Sequence, residues 1–379
     1  MSASPPHVPP AHGLADARPG VHAMSPTDLQ QHLRRAVALE WSTVPLYLYA
    51  YYSLEDELCE AAQTIRAVVM QEMAHVCLAA NVLVAVGGTP DFDAPDRVPR
   101  YPTPLALHDP PLVLHLAPAS VSLIRDTFCA IERPMTVRDV PESGDFTTIG
   151  QFYAAIAVGL RELTRERGEH GLFVGQRWRQ LTTGYHGAYA GATGELVDVH
   201  DLQSALAAIQ EIVHQGEGTA RGEDDGEAPG ELAHFWLFNQ IADRTVPLGS
   251  VRPVITDPST EALPVGSLRD LSQLFDDAYG LLLRLLSRVW TEPDDAVREA
   301  LVATMVPLMV RVLKPVARIL TKSPIPGQHH NAGPAFAFSR TPQPEVVDRS
   351  ARLEQSFSAL RPVTQALVLL PDIDETRQA

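Results

Sequence analysis

Apolar residues recur at three- and four-residue intervals through most of this chain, the period of helices that bury one face. Ser25-Pro26-Thr27-Asp28 opens the first helix, a hydroxyl cap with proline in the first turn. That helix reads LQQHLRRAVALEWSTVPLYLYAYYSL, and Pro45 is expected to kink it or to end its first half. A second helix is predicted from about Cys59 to Val86, stopped by Gly87-Gly88-Thr89-Pro90. Residues 89–118 carry many prolines and little periodicity, and read as a long ordered loop. Ser120 caps a third helix over about 121–133, and Thr148 a fourth over about 149–164. Residues 165–200, rich in glycine and aromatics, read as irregular with short strands. Further helices are predicted at 202–215, 230–242, 267–289 and 294–321. The segment from Ser323 is loop-like with one amphipathic stretch at about 348–368. No repeat with a period of 20–50 residues is evident. The fold class expected is all-α, a helical bundle with long ordered loops and additional C-terminal helices.

The periodicity also exposes what does not belong. VVMQEMAHVCLAANVL, residues 68–83, is almost wholly apolar or small, yet Glu72 falls inside its buried stripe and His75 at its edge. An unpaired ionised carboxylate in a core costs several kcal/mol unless a proton, an arginine or a metal compensates it. Glu40 lies on the face of Leu29, Leu33, Val37, Val44 and Tyr47, and Glu132 flanks that of Ile124, Phe128 and Ile131. In 202–215 the face is taken as Leu206, Ile209 and Val213, which one turn further meets Glu217. His234 shares a face with Phe238 and Ile241, with Glu231 one turn before it. Glu162 is opposite its helix's apolar face and is set aside. Glu-x-x-His occurs three times, at Glu72/His75, Glu211/His214 and Glu231/His234; only the first and last face inward. The candidate metal ligands are therefore Glu40, Glu72, His75, Glu132, Glu217, His234 and Glu231. Balancing so many carboxylates by ion pairing needs several buried arginines, and only Arg125 is placed to serve. A pair of divalent ions neutralises four carboxylates at once, and oxygen–imidazole donor sets suit iron, with manganese the alternative. Glu-x-x-His on facing helices is a known way to build such a centre in a bundle.

Charge and cysteines narrow the setting. The net charge of −16 argues against nucleic acid and anionic membrane surfaces as partners. No apolar run approaches the roughly 18 unbroken residues of a membrane span. Cys59, Cys77 and Cys129 form no Cys-x-x-Cys pair and point to a reducing, cytoplasmic location. No GxGxxG, Walker A or GxSxG is present, so nucleotide binding and serine hydrolysis have no support. His108, His115, His329 and His330 read as solvated loop histidines, Trp41 and Cys77 as packing residues, and Tyr47 as either core or pocket lining. Four regions are expected: a disordered proline-rich 1–24, a metal-binding bundle at 25–245, its helical extension at 246–340, and a tail at 341–379.

The stretches ALEWSTVPLYLYAYYSL, VVMQEMAHVCLAANVLVAVGGTP, YPTPL, LVLHLAPAS, FCAIERP, TIGQFYAAIAVGL, LFVGQ, IVHQGEG, ELAHFWLF and AGPAF carry a resemblance. Over roughly 25–338 the sequence resembles the ferritin-like family named after the N-terminal region of the iminophenyl-pyruvate dimer synthase of violacein biosynthesis (VioB-like). The resemblance implies a ferritin-like bundle with a carboxylate–histidine metal core. It maps onto Glu40, Glu72, His75, Glu132, Glu217 and His234, the positions the face analysis selects. The function expected is a dinuclear non-haem oxidase or oxygenase using O2 or peroxide on a small organic substrate in secondary metabolism. The alternatives are an iron-binding or oxidative-stress protein without organic substrate, and a metal-free helical interaction protein.

Overall fold

The computed structural model describes residues 24–105, 112–134, 146, 148–182, 196–216 and 233–374. Helix α1 (Pro26–Ser53) begins at a full capping box: Ser25 Oγ accepts from the Asp28 amide and Asp28 accepts from the Ser25 amide. It runs through Pro45 without ending, so of the two expected effects, a kink or a stop, the stop does not occur. The ring sits within a wholly buried stretch, so packing outweighs the one hydrogen bond that proline removes. Helix α2 (Glu60–Ala85) folds back on α1, and the two pack along their length.

The loop after α2 is not featureless. It carries a two-stranded antiparallel ribbon, β1 (Thr103–Leu105) on β2 (Leu112–Leu114), with Thr103 opposite Leu114. Ser120 then caps a rod made of α3 (Val121–Leu123), a π-helical turn (Ile124–Phe128) and α4 (Cys129–Ile131), with Glu132 at its end. Helix α5 (Ile149–Arg167) is capped by Thr148, as read from sequence. Among the described residues, 165–200 holds no strand; it forms α6 (Glu169–Leu172) and a 3-10 turn at Arg177–Arg179. Helices α7 (Leu202–Gly216) and α8 (His234–Ala242) complete the bundle around α1 and α2.

The C-terminal half packs on the outside of that bundle. Helix α9 (Ser267–Val289) is its buried axis. A second rod joins α10 (Asp295–Pro307), a π-helical turn (Leu308–Leu313) and α11 (Lys314–Leu320). The predicted single amphipathic stretch is two helices, α12 (Gln343–Leu353) and α13 (Arg361–Val368), the first tied to α9 through Asp277. That carboxylate sits 2.8 Å from Arg349 and accepts from Ser339 and Thr341, both at 2.7 Å. Two helices are long and apolar enough to cross a membrane by length and composition, Glu60–Ala85 and Asp295–Leu320. The first is 83% buried within the protein and carries Glu72 and His75, which marks it as a core helix. The second is 44% buried and leaves apolar surface uncovered.

Candidate metal centre

Five of the seven sequence-selected residues meet at one point inside the bundle. Glu40 comes from α1, Glu72 and His75 from α2, Glu132 from the end of α4, and His234 from the start of α8. All five are buried, His234 completely. Glu217 and Glu231 lie outside the described residues, as does His108. Glu72, His75 and His234 place one donor atom each within 4.8 Å of one another. Glu72 Oε1 is 2.9 Å from His234 Nδ1 and 3.6 Å from His75 Nδ1. Glu40 Oε2 lies 3.6 Å from His75 Nδ1, and Glu132 Oε2 3.6 Å from His234 Nδ1. A cavity of about 20 Å³ opens beside Glu40, Glu72, His75 and Glu132, edged by Ile149, Ile212 and Gly216.

Two matching halves flank Glu72. In each, one carboxylate faces one imidazole. Tyr153 donates its hydroxyl to Glu40 Oε1, and Tyr47 donates to Glu132 Oε1 at 2.5 Å. The outer nitrogen of each imidazole donates to an amide oxygen: His75 Nε2 to Gln215 Oε1 at 3.0 Å, His234 Nε2 to Gln71 Oε1 at 2.9 Å. Glu72, between the halves, has the Thr43 hydroxyl 2.7 Å from Oε2. Gln215 is itself held, its amide nitrogen donating to Glu211 Oε1 at 2.6 Å. These outer bonds fix the tautomer, so both Nδ1 atoms face the carboxylates.

The electrostatics favour positive charge among the carboxylates, and the imidazoles respond to it. Burial, and then Glu132, raise the Glu72 carboxyl above the usual range. Burial works against a charge on His234, but Glu132 and Glu72 outweigh it and raise the imidazole to about 10. His75 is raised in the same way, burial being outweighed by Glu40 and Glu72. Burial pushes the Tyr47 and Tyr153 hydroxyls well up, so both remain hydrogen-bond donors. His234 Nδ1 is fully buried and makes no well-directed hydrogen bond despite its 2.9 Å approach to Glu72. The proton that Glu72 and Glu132 favour on this nitrogen is the one a metal ion would displace on binding there. Arg125, the guanidinium that might have paired here, bonds the Ala242 carbonyl at 2.6 Å instead.

Sequence reasoning missed the hydroxyls of Thr43 and Tyr153 and the amides of Gln71 and Gln215. The buried face of α7 runs over Ala205, Ala208, Ile209, Ile212 and Gln215; Ile209 lies on it as read, whereas Leu206 and Val213 are only half-buried, Val213 at the edge of the metal cavity. Tyr47 proves to be bonded to Glu132 rather than mere core filling. His115, His329 and His330 are exposed loop residues as read, His115 lying 2.6 Å from Asp257 Oδ2. Beyond Leu39, which also edges the metal cavity, lies a cleft of about 810 Å³ whose charged lining is Arg35, Asp96, Arg97 and Arg100, with Arg97 paired to Asp91 at 3.1 Å.

A helical bundle whose interior gathers three glutamates and two histidines from separate helices defines a carboxylate–histidine class with a site able to hold metal. The family model described as Ferritin-like matches residues 33–243, more than half of the chain, and the chain belongs to that family. It is 26% identical to the dichlorochromopyrrolate synthase of Lentzea aerocolonigenes, over 97% of this chain and 41% of that protein. It is also 26% identical to the 2-imino-3-(indol-3-yl)propanoate dimerase of Chromobacterium violaceum, over 82% of this chain and 34% of that protein. The chain thus spans less than half the length of either curated relative. A crystal structure of a ferritin-like protein from Caulobacter vibrioides aligns with TM-score 0.50 and 27% identity, covering 76% of this chain and 96% of that one. The resemblance read from the sequence motifs and the all-α bundle are both upheld.

Proposed function

We propose that the chain is a non-haem dinuclear metal oxidase acting on a small organic substrate in secondary metabolism, with iron as the metal and manganese as the alternative. The single observation that carries this reading is the convergence of Glu72, His75 and His234, all buried, with donor atoms within 4.8 Å of one another. One ion would be held by Glu40 and His75, the other by Glu132 and His234, with Glu72 shared between them. Glu217 or Glu231 is the candidate fourth carboxylate. When bound, such a pair supplies redox equivalents and open positions for O2 or peroxide.

The rest of the chemistry belongs to the protein. Gln71 and Gln215 hold the imidazoles with Nδ1 inward, and Tyr47, Tyr153 and Thr43 fix which oxygen of each carboxylate faces the cavity. Leu39, Ile131, Ile149, Ile212 and Val213 supply apolar walls between the polar groups of the cavity. The arginine-lined cleft beyond Leu39 offers an acidic organic substrate a place beside the centre. Two relatives are named for pyrrole and indole acid chemistry, one of them as a dimerase of an indolyl imino acid, which supports an aromatic imino acid as the substrate class.

The test is metal analysis of the purified full chain together with Glu72→Ala and His75→Ala, followed by O2 uptake with an aromatic 2-imino acid. The wild type retains two equivalents of metal per chain; the variants lose most of it and all substrate-dependent O2 consumption. Unchanged metal content in both variants overturns the centre itself. Iron oxidation without any organic demand transfers the case to an iron-handling protein.

A further inference from the structure

The C-terminal helices enclose a second space unrelated to the metal cavity. It measures about 860 Å³, within the roughly 300–1,000 Å³ of small-molecule pockets. It lies against the other side of α1 and α2, between them and the α9 and α10–α11 helices. Trp41, Tyr279 and Phe336 give it aromatic walls, and Met70, Met73 and Met309 give it side chains that re-pack around varied shapes. The aromatic wall is rigid: Trp41 stacks on Tyr279 at 6.2 Å between ring centroids and donates to its hydroxyl at 3.0 Å. The half-uncovered rod Asp295–Leu320 supplies the opposite wall, which accounts for apolar residues such as Val310 being left exposed.

Three charged side chains line the space: Glu57, Arg66 and Lys314. Lys314 is spent on Glu57, 2.5 Å away, and Glu57 also binds Arg318 at 2.9 Å. Arg66 has no ion-pair partner among the described residues. In a chain of net charge −16, one unengaged guanidinium at an aromatic pocket is a specific anchor for an anion. We propose that this pocket is a binding site for a planar apolar molecule carrying one negative charge, its rings against Trp41 and Tyr279 and its anionic group at Arg66. The two helices that carry Glu40 and Glu72 stand between this occupant and the metal cavity, so it is distinct from a molecule reacting at the centre.

The probe is 8-anilinonaphthalene-1-sulfonate, an aromatic monoanion, titrated into the folded full chain and followed by its fluorescence. N-phenyl-1-naphthylamine, with the same rings and no charge, is the control. Saturable one-to-one binding of both is expected in the wild type. Loss of a charge-assisted contact in Arg66→Gln weakens the sulfonate about tenfold and leaves the neutral probe within about twofold. Met309→Trp fills the space and removes both. Arg66 is exposed, so its variant keeps the fold, and circular dichroism confirms it for each protein. Absence of saturable binding, a sulfonate affinity indifferent to Arg66→Gln, or a binding that fades as the chain self-associates at higher concentration each overturns the assignment.

Discussion

Replacing Gln215 by leucine tests the centre at a residue that touches no metal. Leucine keeps nearly the same bulk but cannot accept from His75 Nε2, 3.0 Å away. Gln215 is 6% exposed, so no water replaces the lost acceptor freely. Two effects follow and they are separable. In the metal-free protein a buried N–H loses its partner, which costs about 1–3 kcal/mol of folding stability. In the metal-bound protein the imidazole no longer prefers the tautomer with its lone pair on Nδ1, and ligation weakens. Loss of such an outer partner typically lowers metal affinity about 10- to 100-fold, or about 1.4–2.7 kcal/mol. The assay is competition with a chromophoric chelator, using anaerobic iron(II) and, separately, manganese(II), with urea melts of the metal-free chain run alongside. Gln71→Leu should act equally on the other half, through His234. Gln215→Leu with wild-type affinity and the expected stability loss would show that His75 is a packing residue, and the two-half arrangement would fall with it.

Other measurements address the surrounding fold. Asp276 is buried on α9, accepting from Thr260 at 2.6 Å and from the Ala337 amide at 3.0 Å, and burial raises its carboxyl to about 7. The folded chain therefore holds this proton where the unfolded chain has released it. Stability is fully present below about pH 4 and falls as pH rises to about 7, by up to about 4 kcal/mol at about 1.4 kcal/mol per unit. Asp276→Asn should flatten that part of the stability–pH curve in urea melts; an unchanged slope would assign it elsewhere. Gly333, in the AGPAF motif, lies so close to Tyr49 that a Cβ would meet its hydroxyl oxygen at 2.2 Å. Gly333→Ala should lower stability by about 1–3 kcal/mol through overpacking, read by thermal melting, and no loss would mean Tyr49 moves freely.

The charged members of the centre were legible because helical periodicity fixes a face, and a carboxylate on an apolar face is costly enough to demand a reason. Glu40, Glu72, His75, Glu132 and His234 were all found that way, and all converge. Gln71 and Gln215 were not, because a neutral amide on an apolar face raises no comparable alarm. Tyr153 was hidden differently: it continues the Ile149–Ile156 stripe as an ordinary core aromatic, and only the fold brings its hydroxyl to Glu40. Leu206 and Val213 misled the reading of α7 because periodicity gives an apolar arc but not which edge of it meets the neighbouring helix. Pro45 failed as a helix stop for a related reason. The local cost of proline was right in kind, but burial of the surrounding turns on both sides exceeded it.

The same ordering of energies explains how the chain tolerates its own centre. Three carboxylates and two imidazoles in an apolar interior would oppose folding if left to themselves. Each carboxylate, however, meets a hydroxyl, from Tyr153, Thr43 or Tyr47, and each imidazole meets an amide, from Gln215 or Gln71. These partners are neutral, so they satisfy one side of every ligand without cancelling its charge. A buried arginine would have satisfied the carboxylates too, but it would have occupied the cavity and removed the attraction for a cation. Arg125, turned to the Ala242 carbonyl, leaves that space open. Neutral outer partners leave the balance of charge to the inner set, where the imidazoles pair with the carboxylates and a metal ion would replace their protons.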